Sequence, residues 1–218
     1  MNTILRISRA CVVLLAIIYP AYAFAVTDSL KKSYEYKPSG GGFSFGGGAV
    51  YGLPVNNLSS VISSNIGYQV QAAWLKKRFA IEGCVSGFSS ASSRDITLGA
   101  ENIVTNTVLD FYTVGIQASY SVVYTESWRV SPLTGPAWSA LTLENEKHPD
   151  NQFTWVAGAK VQYNFRGRSN LGGLKDGLVL PIYFKYLYSF PTELTTNVTG
   201  GAHFLSVGLE LYIKSPDE

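Results

Sequence analysis

Between His203 and Ile213 the sequence alternates without a break. Leu205, Val207, Leu209, Leu211 and Ile213 share one parity, and Phe204, Ser206, Gly208, Glu210 and Tyr212 share the other. Successive side chains of a strand point to opposite faces, so one face of this segment is hydrocarbon and the other is small, polar or aromatic. The same period of two returns along most of the chain. That repetition confines the chain to sheet, and it leaves open which solvent meets the apolar face.

Eight segments carry the alternation and predict eight strands. The first, 43–52, sets Phe43, Phe45, Ala49 and Tyr51 against Ser44, Gly46, Gly48 and Gly52; the second, 66–75, sets Ile66, Tyr68, Val70 and Trp74 against Gly67, Gln69 and Gln71. In the third, Phe79, Ile81 and Val85 oppose Ala80, Glu82, Cys84 and Ser86, and in the fourth Tyr112, Val114, Ile116 and Tyr120 oppose Thr113, Gly115 and Gln117. The sixth sets Trp155, Ala157, Val161 and Tyr163 against Thr154, Lys160 and Gln162, and the seventh sets Ile182, Phe184, Tyr186 and Tyr188 against Tyr183, Lys185 and Ser189. The fifth, 128–141, is irregular. Pro132 and Pro136 share a parity and lack the N–H that a ladder needs, so a bulge or an irregular start is expected there, with its outward face undecided. Connections 53–65, 89–106, 144–151 and 191–201 are long, those at Lys76 and Thr125 are short, and 166–177 is intermediate. Strands of about ten residues with alternating turn lengths predict an all-β, eight-stranded antiparallel up-and-down transmembrane β-barrel over residues 43–213.

Residues 1–23 have the parts of a signal peptide: Arg6 and Arg9, an apolar run from Cys11 to Tyr19, and a small-x-small ending at Ala23. The run is shorter than the roughly 20 residues a membrane helix needs. Cleavage is expected after Ala23, with Ala25 as the second candidate. Residues 24–42 are then a flexible periplasmic lead-in, and 214–218 a short tail. The exported chain keeps one cysteine, Cys84, so no internal disulfide can form. Removing Arg6 and Arg9 from the 17 basic residues leaves 15, equal to the 15 acidic ones. A balanced chain gives no sign of nucleic acid or of a polyanionic substrate.

Turned inward, the apolar face would make a soluble periplasmic carrier of the lipocalin kind. Its outer face would then need roughly a quarter to a third charged residues. The opposite parity offers mainly Gly, Ser, Thr, Gln and Asn, and its clear charges are Glu82, Lys160, Lys185 and Glu210. The apolar face is therefore assigned to lipid, with Tyr51, Trp74, Phe79, Tyr120, Tyr163, Phe165, Tyr188 and Phe190 toward strand ends as interfacial rings. Unpaired charges away from water lose several kcal/mol of hydration. Glu82 and Glu210 are accordingly expected to pair with Lys160 and Lys185, with Gln69, Gln71, Gln117 and Gln162 completing the bonds; a water column separating some of them is the alternative. An eight-stranded interior filled by side chains excludes a wide pore.

The segment Ser206-Val-Gly-Leu-Glu-Leu-Tyr-Ile213 combines a polar residue, a glycine two later and hydrophobics at alternate positions. With the strand pattern, it resembles the small eight-stranded outer-membrane barrel superfamily that includes the OmpA transmembrane domain, the opacity proteins and the attachment-invasion barrels. The resemblance covers residues 43–213. It implies a monomer in outer-membrane lipid and lipopolysaccharide, built by a barrel-assembly machinery that reads Gly208, Leu211 and Ile213. Many members end on an aromatic, whereas Lys214-Ser-Pro-Asp-Glu218 follows here, and the lack of a peptidoglycan-binding domain removes a cell-wall anchoring role.

The resemblance also implies a non-enzymatic surface protein without a cofactor, serving envelope integrity, adhesion or host interaction through four loops that could meet a host or surface ligand. A narrow ion-conducting channel and a lipid A-modifying enzyme are the alternatives. Lipid A deacylases carry a His-x-Ser pair, but His203 and Ser206 are three apart and fall on opposite faces of a strand. His148 lacks the convergent partners a metal needs. No catalytic residue, cofactor site or metal site is assigned.

Overall fold

The computed structural model describes residues 41–98, 101–125, 127–143, 152–164, 178–179, 181–195 and 197–214. The expected signal peptide, lead-in 24–40, loop 144–151, Phe165, connection 166–177 and tail 215–218 lie outside the described residues. The described residues form twelve strands: β1 (Gly41–Asn56), β2 (Asn65–Lys76), β3 (Phe79–Ala91), β4 (Ile96–Leu98), β5 (Glu101–Ile103), β6 (Val108–Tyr120), β7 (Val123–Tyr124), β8 (Trp128–Leu143), β9 (Gln152–Asn164), β10 (Leu178–Val179), β11 (Pro181–Thr195) and β12 (Val198–Lys214). Eight of them, β1, β2, β3, β6, β8, β9, β11 and β12, pair antiparallel in that order, and β1 pairs with β12 to close a barrel. Closure leaves none of these eight strands as an edge strand.

The stagger of this closure can be followed residue by residue. Gly42 lies opposite Leu75, Leu75 opposite Ala80, Ala80 opposite Ser119, and Ser119 opposite Leu133. Leu133 then lies opposite Gly158, Gly158 opposite Leu187, Leu187 opposite Phe204, and Phe204 opposite Gly52. One circuit thus returns to β1 ten residues further on, at 52 instead of 42. With a rise of about 3.3 Å per residue and strands about 4.7 Å apart, that stagger tilts the strands by roughly 40°. Ten tilted residues then climb about 25 Å, the height of a lipid-facing band.

Three expectations about connections are corrected. The segment 53–65 is not all loop: β1 continues to Asn56, and a 3-10 turn occupies Asn57–Ser60. The 89–106 segment holds the β4–β5 hairpin. The 191–201 segment is the tip of a long hairpin, because β11 and β12 stay paired to Thr195 and Val198 through two register shifts. β8 does start irregularly, as expected: its pairing shifts by one residue between Leu133, opposite Ser119, and Val130, opposite Val123, with the extra residue on the partner side. Its register against β9 is unbroken, and against β6 the same register resumes after a lapse opposite Pro136 and Gly135. A proline withholds one donor; at Pro136 the ladder loses bonds without slipping, whereas beside Pro132 it shifts by one residue.

Parity decides the faces. Phe45, Ile66, Val70, Ile116, Phe184 and Leu209 are each more than half exposed, whereas their neighbours of opposite parity line the lumen. Pro132 lies on the exposed face of β8 and Pro136 on the same parity, and Arg129, Ser131, Leu133, Ala137 and Ser139 point inward. Trp74, Phe79, Tyr120 and Trp128 are exposed near the end that holds Gly41 and Lys214, the lower rim. Tyr51, Ile66, Trp138, Trp155 and Phe190 are exposed toward the other, upper rim.

Candidate functional site

The lumen has two storeys. Glu82, Lys160, Lys185 and Glu210 lie three or four residues from the lower ends of β3, β9, β11 and β12 and meet in one layer. Lys160 Nζ is 2.7 Å from Glu82 Oε2 and 2.9 Å from Glu210 Oε2, and Lys185 Nζ pairs with Glu82 Oε1. Glu82 therefore bridges both lysines. These contacts are direct, and Lys185 and Glu210 are only 2% and 1% exposed.

Glutamines complete the layer. Gln162 and Gln71 donate to Glu210 Oε2 at 2.6 and 3.3 Å, and Gln69 donates to Gln71 at 3.0 Å. Ser206 and Ser86 donate to Gln69 Oε1 at 2.7 and 3.3 Å. Gln117 differs from its expected role, since its buried Oε1 has no partner among the described residues. Arg129 is a lumen cation that the sequence did not point to. It donates to Ser121 and lies 5.3 Å from the Tyr124 ring centroid. Only the outward placement of Pro132 and Pro136 reveals it, because the two share the parity opposite to Arg129.

Gly208 of the expected assembly signal has a lumen task as well. The Tyr183 hydroxyl rests against it, 2.7 Å from where a Cβ would stand, and the Tyr183 ring lies 5.5 Å from Lys160 Nζ. Leu211 and Ile213 lie on the outer face opposite Phe45 and Phe43 of β1. Cys84 is buried in the lumen, 3.5 Å from the Ser86 hydroxyl. His203 faces outward between Tyr186 and Tyr188, with its Nδ1 2.8 Å from the Tyr186 hydroxyl, whereas Ser206 points inward.

The upper storey is built on phenylalanines, with the buried hydroxyls of Thr113, Ser139 and Ser189 hydrogen-bonded to one another beside them at 2.8 and 3.1 Å. Phe111 and Phe204 stack with centroids 6.1 Å apart, and Phe88 meets both at 5.8 and 6.2 Å. Gly52 leaves the space the Phe88 ring occupies. The connections fold down onto this cluster: Leu58, Val61 and Ile62 from the β1–β2 segment, Leu98 and Ile103 from the β4–β5 hairpin, and Leu194 and Val198 from the top of β11 and β12. Ser93 N donates to Val61 O at 2.6 Å, and the Thr195 hydroxyl donates to Thr97 O at 3.0 Å. These three connections are thereby bound to one another as a lid over the lumen.

Above the lid, an open cleft of about 550 Å³ runs between the β4–β5 hairpin and Asn197, lined by Arg94, Asp95, Thr97 and Asn102. Asp95 accepts both the Thr105 hydroxyl and its backbone N–H at 2.7 Å, which holds its carboxyl below the usual range. Among the described residues no group of His, Cys, Asp and Glu is placed to hold a metal.

No family model and no curated protein matches the sequence. Solved structures do match. Neisserial surface protein A is 10% identical, with a TM-score of 0.49, over 79% of this chain and 97% of that one. The attachment invasion locus protein Ail of Yersinia pestis is 12% identical, with a TM-score of 0.41, over 78% and 99%. The outer membrane protein OprG of Pseudomonas aeruginosa is 8% identical, with a TM-score of 0.45, over 82% and 99%. This chain is a closed eight-stranded antiparallel β-barrel, and the solved chains it is similar to are small outer-membrane barrels.

Proposed function

We propose that the protein is an exported, non-enzymatic outer-membrane barrel that holds a rigid set of loops at the cell surface and conducts no ions. The observation that carries this reading is the lumen, blocked by an ion-paired layer below and by an apolar cluster continuous with the loops above. A conduction path needs a continuous polar lining, and beside the Phe88, Phe111 and Phe204 rings the upper storey offers only the buried hydroxyls of Thr113, Ser139 and Ser189, which are bonded to one another. The wide belt of exposed Phe, Ile, Val and Leu supports lipid around the wall, since soluble monomers rarely expose apolar patches of more than a few hundred Å². The lower rim, with both described chain ends, would face the periplasm; the lid and its cleft would face outward, toward lipopolysaccharide and any surface or host ligand.

The assembly reading of Gly208, Leu211 and Ile213 belongs to the same proposal. In the closed barrel β12 is paired on both sides, with β1 and β11. A machinery that reads this strand through its backbone must do so before β1 and β12 join.

Two measurements test the proposal. The membrane-extracted protein is expected in the outer-membrane fraction, and its gel mobility should shift on boiling as the closed barrel unfolds. A soluble periplasmic protein with no shift would return the apolar face to the interior and favour a small-ligand carrier. In planar bilayers, the folded protein is expected to give no discrete current steps. Reproducible openings whose size changes with Lys160→Met and Glu210→Gln would make it a narrow channel instead.

A further inference from the structure

The β2–β3 turn at the lower rim has a charge pattern that the barrel itself does not use. Lys76, Lys77 and Arg78 are consecutive and all exposed, and among the described residues none of them has an acidic partner. Lys77 adopts a left-handed backbone, φ 55°, which turns the chain tightly and keeps the three cations at one point of the rim. Directly above them on the outer wall, Trp74, Phe79 and Tyr120 are exposed and, with the three basic residues, line an open cleft of about 490 Å³. The turn is held against the next one by a backbone bond from Ser121 N to Arg78 O at 2.8 Å, and Phe79 lies opposite Tyr120 in the ladder. The cleft is therefore built on three paired strands, β2, β3 and β6, and on the tight turn between the first two.

We propose that this corner binds the headgroup of an anionic phospholipid from the leaflet around the lower rim. Three uncompensated cations at the depth of a headgroup attract a phosphodiester, and their long stems can lie along the wall while the charged ends reach it. The three rings offer apolar surface to the glycerol and the first methylenes of the acyl chains. A zwitterionic headgroup fits less well, because its ammonium would sit among three like charges. A free phosphate would use the cations and leave the rings without a partner. The proposal rests on the lipid-facing reading of the wall, and its test separates the two: a barrel without a heat-shifted band fails that reading, whereas a folded barrel without headgroup preference fails only the site.

The test titrates the folded, heat-shifting full chain in a neutral detergent with short-chain phosphatidylglycerol, with phosphatidylcholine of equal chain length, and with inorganic phosphate. The Trp74 indole and the Lys77 and Phe79 amides are followed by NMR. Saturable shifts with a Kd roughly tenfold lower for phosphatidylglycerol than for phosphatidylcholine are expected. The combined Lys76→Gln, Lys77→Gln and Arg78→Gln variant should remove that preference, and Lys76→Gln or Arg78→Gln alone, which leave the turn residue intact, should each reduce it. Equal affinity for the two lipids, saturation of the same shifts by inorganic phosphate at equal concentration, or an undiminished preference in the single variants would overturn the proposal.

Discussion

Glu82→Gln is expected to lower the unfolding free energy of the barrel by about 3–5 kcal/mol, the range for breaking a buried ion pair from one side. Glu82 is the shared acceptor of Lys160 and Lys185. Without its charge, Lys160 still has Glu210, but Lys185 is left with Gln71 Oε1 at 3.5 Å and no carboxylate. An ammonium buried to that degree recovers little hydration from a neutral amide. The loss should therefore fall mainly on Lys185, and removing that charge as well should relieve it. Glu82→Gln with Lys185→Met is expected to be distinctly more stable than Glu82→Gln alone, because the remaining Lys160–Glu210 pair is balanced. Urea titration in detergent, followed by tryptophan fluorescence and by the heat-shifted band, reads both. A loss below about 1 kcal/mol, as for a hydrated surface pair, or a double variant no better than the single, would show that the layer is not a desolvated network.

Phe204→Ala is expected to cost a similar amount, about 3–5 kcal/mol, through the cavity left in a core that cannot collapse around it. Phe204 is fully buried between Phe88 and Phe111, and those two rings are fixed on strands of a closed barrel. The same cluster holds Leu58, Ile62, Leu98 and Leu194 of the lid. The variant should consequently show a second effect that a strand-only core would not: faster proteolysis within residues 92–107 on intact cells. Leu209→Ala, on the outward-facing side of the same strand, removes an apolar side chain without opening an internal cavity and should leave both readouts close to the parent. Equal effects from Phe204→Ala and Leu209→Ala would mean that the upper storey is not packed as described.

Much of this was legible in the sequence because side-chain alternation is local. Seven strands showed which parity is hydrocarbon and which is polar, and the scarcity of charge on the polar parity assigned that face to the lumen. Glu82, Lys160, Lys185 and Glu210 stood out as the charges on it. The fifth strand gave no such answer, since Pro132 and Pro136 spoil the pattern on one parity while small residues fill the other; pairing with β6 and β9 decides that the prolines face out and Arg129 faces in. The lid was also illegible. Leu58, Ile62, Leu98 and Ile103 sit in polar, turn-rich segments without a period, and their burial depends on a shape that exists only once the barrel has closed.

The sequence by itself determined the period of two, the number of barrel strands, which parity faces outward in seven of them and the four lumen charges Glu82, Lys160, Lys185 and Glu210, because each depends on residues a few positions apart. Only the tertiary structure decided which charges meet and what seals the upper end. Heights around the barrel depend on the stagger of ten residues per circuit, a property of all eight pairings together. A different stagger would keep every side chain on its face and still separate Glu82 from Lys160 and Lys185. The same closure sets the width of the upper mouth, and that width is what lets the loops fold in upon the three phenylalanines.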